Sequence, residues 1–248
     1  MDLEGKVAVV TGAGSGIGRA TAFAFAAAGC SVVVADIDEV GGAETVGLVH
    51  DAGAAGSATF VRTDVTEARS VEAMFAAAQS EYGGVDIVHN NAGLVCGEPF
   101  WPDITPETLL RVMNVNLGGV VLGTRLAIPH LRQRGGGAIV NTASMAAMFP
   151  MTVDPIYSAT KAGVTMFTRA CAELASEGIR VNVVLPGLVD TPLLPKTGDG
   201  ESWADWAHAS KDLMGILQAE DVAEAVLDLV RDDAAVAEER VVGTLPAV

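Results

Sequence analysis

Tyr157 and Lys161 stand four residues apart, and Ser144 lies 13 residues before the tyrosine. Four residues is about one helical turn, so a helix through 154–176 presents both side chains on one face. A phenol is a poor acid or base near neutrality, with a free pKa of about 10. An ammonium beside it favours the phenolate and brings the proton within working range. The serine hydroxyl can hold a substrate oxygen that gains or loses that proton. Ser144, Tyr157 and Lys161 are therefore candidate catalytic residues for proton transfer at oxygen.

A second signal lies near the N-terminus. The apolar run Val7–Thr11 leads into Gly12-Ala13-Gly14-Ser15-Gly16-Ile17-Gly18 and then into an Ala-rich helical stretch. Glycines let a turn adopt unusual dihedrals and let the backbone approach a pyrophosphate, and the free N–H groups of a helix start favour an anion. Asp36 ends the second apolar run, where a carboxylate accepts hydrogen bonds from ribose hydroxyls and repels a 2′-phosphate. No arginine or lysine stands at position 15 or 37 to attract such a phosphate. NAD is favoured over NADP, and Asp38 lies further along the turn than the ribose requires.

The elements that must position these groups alternate along the chain. Strands are expected at Val7–Thr11, Ser31–Ala35, Ala58–Arg62, Val85–His89, Ala138–Thr142, Arg180–Val184 and Arg240–Thr244. Helices are expected at Gly16–Ala28, Val40–Asp51, Glu67–Glu81, Pro106–Gln133, Pro155–Ser176 and Ala219–Asp232, with Thr66 and Thr105 as N-caps. The strands are continuous apolar runs, as in a parallel sheet covered on both faces. The pattern predicts an α/β fold: one doubly wound, seven-stranded parallel sheet with helices on both faces, spanning 1–248 as a single domain. Segment 190–215 breaks the alternation with Pro192, Pro195, Gly198, Gly200, Trp203, Trp206 and Met214, and reads as a substrate-binding flap.

Composition narrows the function classes. The net charge of −16, from 31 acidic and 15 basic residues, disfavours nucleic acid and anionic membrane surfaces as partners. Arg132 and Arg134, the close basic pair, read as solvated. Cys30, Cys96 and Cys171 are too scattered for a disulfide framework or zinc knuckle, and the four histidines have no metal-ligand spacing, so no metal is expected. Cys96 is a candidate pocket-lining residue. No apolar run is long enough to span a bilayer and no secretory signal is visible, so a cytoplasmic protein is expected.

The spacing Thr-Gly-x-x-x-Gly-x-Gly, taken with Asn90-Asn91-Ala92-Gly93, Ser144, Tyr-x-x-x-Lys and Pro186-Gly187, resembles the short-chain dehydrogenase/reductase family over nearly the whole chain. The resemblance implies a Rossmann-type fold and an NAD site. Gly12, Gly16 and Gly18 would form the phosphate turn, with Ser15 inside it and Ile17 supplying a backbone amide. Asp64 and Val65 would contact the adenine. Asn91, Ala92 and Gly93 would line the nicotinamide ribose, with Tyr157 and Lys161 beside it. Pro186, Gly187, Val189 and Thr191 would hold the carboxamide, while Asn182 braces the backbone.

The family's fourth catalytic member is an asparagine, and Asn116 fits its place better than Asn114. The implied reaction interconverts a secondary alcohol and a ketone. Tyr157 acts as acid or base, Lys161 lowers its pKa, Ser144 orients the oxygen and Asn116 holds a relay water. Met145, Met148, Phe149, Leu94 and Val95, with the flap tryptophans, suggest an apolar substrate such as a steroid, lipid, terpenoid or aryl alcohol. Glu98 and Asp154 read as surface residues. The final strand lacks the Asp-Gly-Gly ending of many members, which leaves the expected homo-oligomer open between tetramer and dimer. A non-catalytic NAD-sensing protein is the alternative, disfavoured because all four catalytic positions are filled.

Overall fold

The structure is a computed structural model that describes residues 1–194, 211 and 215–245. Its frame is a seven-stranded sheet in the order β3-β2-β1-β4-β5-β6-β7, every pair parallel. The strands are β1 Val7–Thr11, β2 Ser31–Asp36, β3 Ser57–Arg62, β4 Ile87–Asn90, β5 Gly137–Thr142, β6 Ile179–Pro186 and β7 Glu239–Val242. The helices are α1 Gly16–Ala27, α2 Glu39–Asp51, α3 Ala68–Tyr82, α4 Pro106–Met113, α5 Gly119–Gln133, α6 Pro155–Ala170 and α7 Ala219–Arg231.

The continuous apolar strands are explained by two cores. Ala8, Val10, Val32 and Val34 pack with Phe25 of α1, Val49 of α2 and Val226 of α7. Their neighbours Val9, Val33 and Ala35 pack on the opposite face with Phe75 of α3 and Leu131 of α5. A side chain alternates faces along a strand, so covering both faces demands an apolar residue at every position. A further cluster joins Val120 of α5 and Val164 of α6 to Val183 and Leu185 of β6.

Several boundaries differ from expectation. The helix expected over 106–133 is interrupted by a π-helical turn at Asn114–Gly118, where the Gly119 N–H reaches back to the Asn114 carbonyl. The extra residue in that turn accompanies complete burial of Asn116, whose side-chain hydrogen bonds offset the irregular ladder. The helix expected to Ser176 ends at Ala170 and tightens into a 3-10 segment, Ala172–Glu177, before Gly178 turns the chain into β6 with φ of 76°. Thr66 does not cap α3. Its N–H and hydroxyl both bond Asp64 Oδ1, and Glu67 takes the N-cap position. Thr105 does cap α4, accepting from the Thr108 N–H at 3.2 Å.

Arg132 and Arg134 are not simply solvated. Arg132 pairs with Glu177 at 2.6 Å, and Arg134 binds the buried Asp86 carboxylate at 3.0 and 3.1 Å. Segment 190–215 is described only at Asp190–Leu194, Lys211 and Gly215, so Pro195, Gly198, Gly200, Trp203, Trp206 and Met214 lie outside the described residues. Its two ends are drawn together: Asp190 N–H donates to the Leu217 carbonyl at 3.0 Å, and Leu217 N–H to the Leu188 carbonyl at 2.8 Å. Among the described residues no helix is long and apolar enough to cross a membrane.

Candidate active site

After β1 the chain moves to one side of the sheet and after β3 it crosses to the other, so a crevice opens at the carboxyl ends of β1 and β4. A cavity of about 820 Å³ occupies it. Its lining joins Gly12, Ser15 and Ile17 after β1, Asp36 after β2, Asp64 and Val65 after β3, and Asn91, Ala92 and Gly93 after β4. Ser144 follows β5, Tyr157 and Lys161 come from α6, and Pro186, Gly187, Val189 and Thr191 close the wall after β6. Gly16, Gly18 and Asn116 lie behind this lining, where they shape or brace it.

One end of the cavity has the form of a dinucleotide cradle. Gly12 has φ of 64°, and a Cβ there would come within 2.8 Å of Ala92 Cα. A Cβ on Gly18 would meet the Gly12 carbonyl oxygen at 2.1 Å, so the turn closes on α1 only with glycine at that position. Ser15 occupies the N-cap of α1 without a side-chain hydrogen bond, leaving the first N–H groups of the helix without a side-chain partner. Asp36 Oδ2 accepts from the Gly14 N–H at 2.7 Å and Oδ1 from the Asp38 N–H at 2.9 Å, which fixes the carboxylate at the rim. Asp38 caps α2 instead, accepting from the Val40 N–H at 3.0 Å. The glycine cradle, the open helix start and the fixed carboxylate suit NAD.

Asn91 braces this end. Its Nδ2 donates to the Thr11 carbonyl at 3.0 Å, and Thr142 Oγ1 donates to its Oδ1 at 3.3 Å. Because the Thr142 hydroxyl spends its proton on Asn91, it accepts from His89 Nε2 at 2.8 Å. That assignment leaves His89 Nδ1 buried without a hydrogen-bond partner. Burial and, secondarily, the Lys161 charge hold His89 neutral, with its pKa lowered to about 3.

At the other end Tyr157 is 8% exposed and Lys161 3% exposed. Lys161 Nζ donates to the Thr142 carbonyl at 2.8 Å and lies 5.6 Å from the centroid of the Tyr157 ring. Burial lowers the Lys161 pKa to about 8. Tyr157 moves the opposite way to expectation: burial raises its pKa to about 12, Asp154 adds to the rise, and a hydrogen bond with Ser144 opposes it. Desolvation sets the direction because a buried phenolate loses its hydration, and the Lys161 ammonium, 5.6 Å from the ring centroid, is not among the groups that offset it.

Asn116 is fully buried, and Asn114 is exposed. Asn116 Oδ1 accepts from the Leu94 N–H at 2.7 Å, while Nδ2 donates to the Leu94 carbonyl at 2.8 Å and to Thr160 Oγ1 at 3.2 Å. Its amide N–H groups are thus committed, and only Oδ1 keeps a lone pair to offer a relay water. A point 3.4 Å from Lys161 Nζ and 3.6 Å from Asn116 Oδ1 lies just above Gly93 Cα, so both groups approach the same spot.

The apolar wall comes from Leu94, Val95, Met145, Met151, Leu193 and Leu194. Phe149 also lines the cavity, whereas Met148 is exposed and does not. Cys96 does not line it either; its N–H donates to Asp154 Oδ2 at 2.8 Å, and burial, with Asp154 beside the thiol, raises its pKa to about 12. Glu98 is exposed as expected, but Asp154 is 3% exposed. The Asp154-Pro155 pair carries an N-cap signal that the sequence offers and the surface assignment overlooked. Thr142 and His89 gave no such signal, since a strand-end threonine and a lone histidine read as ordinary core. Asn182 is the brace expected, donating to the Ala235 carbonyl at 3.0 Å and accepting from the Glu238 N–H at 2.9 Å.

A family model described as short chain dehydrogenase matches residues 6–202. A 3beta-hydroxysteroid dehydrogenase of Eggerthella lenta is 42% identical over 241 residues, covering 94% of this chain and 89% of that protein. The 15-hydroxyprostaglandin dehydrogenase [NAD(+)] of Mus musculus is 32% identical over 246 residues, covering 94% of this chain and 88% of its own length. Among solved structures, a 3-ketoacyl-(acyl-carrier-protein) reductase from Brucella melitensis complexed with NADH superposes with a TM-score of 0.86 at 35% identity, covering 97% and 98% of the two chains.

Proposed function

The chain belongs to the short-chain dehydrogenase/reductase family, and from that premise we propose how its own residues interconvert a secondary alcohol and a ketone. It is an NAD-dependent oxidoreductase acting on CH–OH groups, and an apolar substrate fits the wall built by Leu94, Val95, Met145, Met151, Leu193 and Leu194. Ser144, Tyr157 and Lys161 converging on one cavity wall is the observation that carries the reading.

NAD supplies the hydride acceptor and, when oxidised, a positive charge near the phenol. Gly12, Ser15, Gly16, Ile17 and Gly18 would hold its phosphates, Asp36 its adenosine ribose, and Asp64 and Val65 its adenine. Asn91, Ala92, Gly93 and the 186–191 wall would hold its nicotinamide end. In oxidation the Tyr157 phenolate takes the hydroxyl proton, and in reduction the phenol returns it to the forming alcohol. Ser144 would hold the same oxygen, and its hydroxyl beside the phenol favours the phenolate. Lys161, with its pKa near 8, supplies a titratable charge behind the tyrosine, and Asn116 Oδ1 offers a relay water its acceptor.

Residues 190–215 are read as the flap over the apolar end, within one domain of 1–248. A homo-oligomer in the cytoplasm is the setting we favour. The exposed side chains Leu110, Met113, Val121 and Met166 on α4, α5 and α6 support self-association, which light scattering of the purified chain would test. The reaction is tested by following NADH formation across steroid, aryl, terpenoid and short-chain secondary alcohols. Wild-type turnover with none in Tyr157→Phe, which still binds NAD, is the expected result. Undiminished turnover in Tyr157→Phe overturns the assignment.

A further inference from the structure

Asp154 is a buried carboxylate without an ion-pair partner among the described residues. Its two oxygens face different segments. Oδ1 accepts from the Tyr157 N–H at 2.9 Å and caps α6; Oδ2 accepts from the Cys96 N–H at 2.8 Å. The Cys96 thiol lies beside the same carboxylate, which raises its pKa.

Those contacts join three parts of the site. Leu94 and Val95, just before Cys96, form one stretch of the apolar wall, and Met151, Thr152 and Val153, just before Asp154, form another. Tyr157 is the third residue of the helix that Asp154 caps. The preceding turn is closed as well: Asp154 N–H donates to the Met151 carbonyl at 3.2 Å, and Met151 N–H to Ser158 Oγ at 2.9 Å. Asn116 holds the near end of the same loop through Leu94, so the loop is pinned twice within three residues. Helix capping alone needs one oxygen acceptor, which a serine supplies. The second oxygen is spent wholly on the pocket loop.

We propose that Asp154 is a positioning residue that, through Cys96, clamps the Leu94–Val95 wall of the substrate pocket to the Met151–Val153 wall and to Tyr157. The proposal rests on the dehydrogenase reading. It adds an electrostatic consequence. The groups facing Tyr157 are Ser144 after β5, Lys161 one turn along α6, and Asp154 at the start of α6, with the Cys96 thiol behind Asp154. Asp154 is the negative member of this set, and it opposes phenolate formation.

The test compares wild type with Asp154→Ser and Asp154→Asn, all in a Cys171→Ser background. Asp154→Ser keeps a helix cap and removes the loop contact, while Asp154→Asn keeps the size and removes the charge. Expected in both is a rise in KM for the alcohol of roughly tenfold or more, with NAD affinity within about twofold of wild type. The pH at which oxidation reaches half its maximum falls in both. Cys96 becomes more reactive to a maleimide, since Cys30 is fully buried and Cys171 is absent.

Unchanged KM and pH profile in Asp154→Ser overturn the clamp, as does a loss of NAD affinity that parallels the loss of turnover, which marks general unfolding. If wild type oxidises no alcohol, the dehydrogenase reading fails, and Cys96 labelling still decides whether Asp154 holds the loop.

Discussion

The Lys161 ammonium is held by the carbonyl of Thr142, at 2.8 Å, and lies 5.6 Å from the Tyr157 ring centroid. The end of β5, not the phenol, therefore fixes the lysine. With its pKa lowered to about 8, Lys161 changes charge within the range of ordinary assays. Lys161→Met is expected to lower turnover by ~10²–10⁴-fold and to weaken NAD binding, because this side chain lines the cofactor cavity. Steady-state rates and NAD titration of the variant check both; unchanged turnover would remove Lys161 from the proton path.

Alcohol oxidation needs the phenolate, so its rate rises with pH until Tyr157 has ionised. Ketone reduction needs the phenol, so its rate is level and then falls as Tyr157 ionises. Burial places Tyr157 at about 12 in the chain by itself, and the positive charge of the oxidised cofactor moves the limb below that value. Ser144→Ala removes the contact that favours the phenolate and moves the limb upward. Profiles of kcat/KM in both directions at saturating cofactor show it. A limb that stays in place would refute the Ser144 contribution.

Asp36 is fixed at the cavity rim by two backbone N–H groups at 2.7 and 2.9 Å, the position proposed to face the adenosine ribose. Asp36→Ser removes the negative charge that repels a 2′-phosphate. The ratio of kcat/KM for NAD over NADP is expected to narrow by roughly tenfold or more, read from paired assays with the two cofactors. An unchanged ratio would mean that another feature of the rim sets the preference.

His89 makes the fold sensitive to acid. Its folded pKa is depressed from 6.5 to about 3, so between those values the unfolded chain carries a proton that the native chain excludes. The sign follows directly: stability present above pH 6.5 is lost as pH falls towards 3. Urea unfolding at about pH 7 and about pH 5 is expected to show wild type losing about 2 kcal/mol more than His89→Gln. Equal losses in the two proteins would show that His89 is not the group responsible.

The sequence by itself determined the order of strands and helices, the glycine turn before α1, Asp36 at the end of β2, and the Ser144, Tyr157, Lys161 set. These are local or strongly periodic signals. A two-faced buried strand must be apolar throughout, a tight strand-to-helix turn needs glycine, and residues four apart share a helix face. Only the tertiary structure decided that Asn116 occupies a π-helical turn, that Arg134 neutralises Asp86, and that Asp154 is buried between Cys96 and Tyr157. It also decided the direction of the Tyr157 shift. Each of these depends on partners from 22 to 58 residues away or on how deeply a group is desolvated. Lys161 is tied in the same way, to a carbonyl 19 residues before it. A pattern along one chain shows which residues are present but not which of them meet out of water, and burial is what sets the charge of a phenol or the worth of a carboxylate.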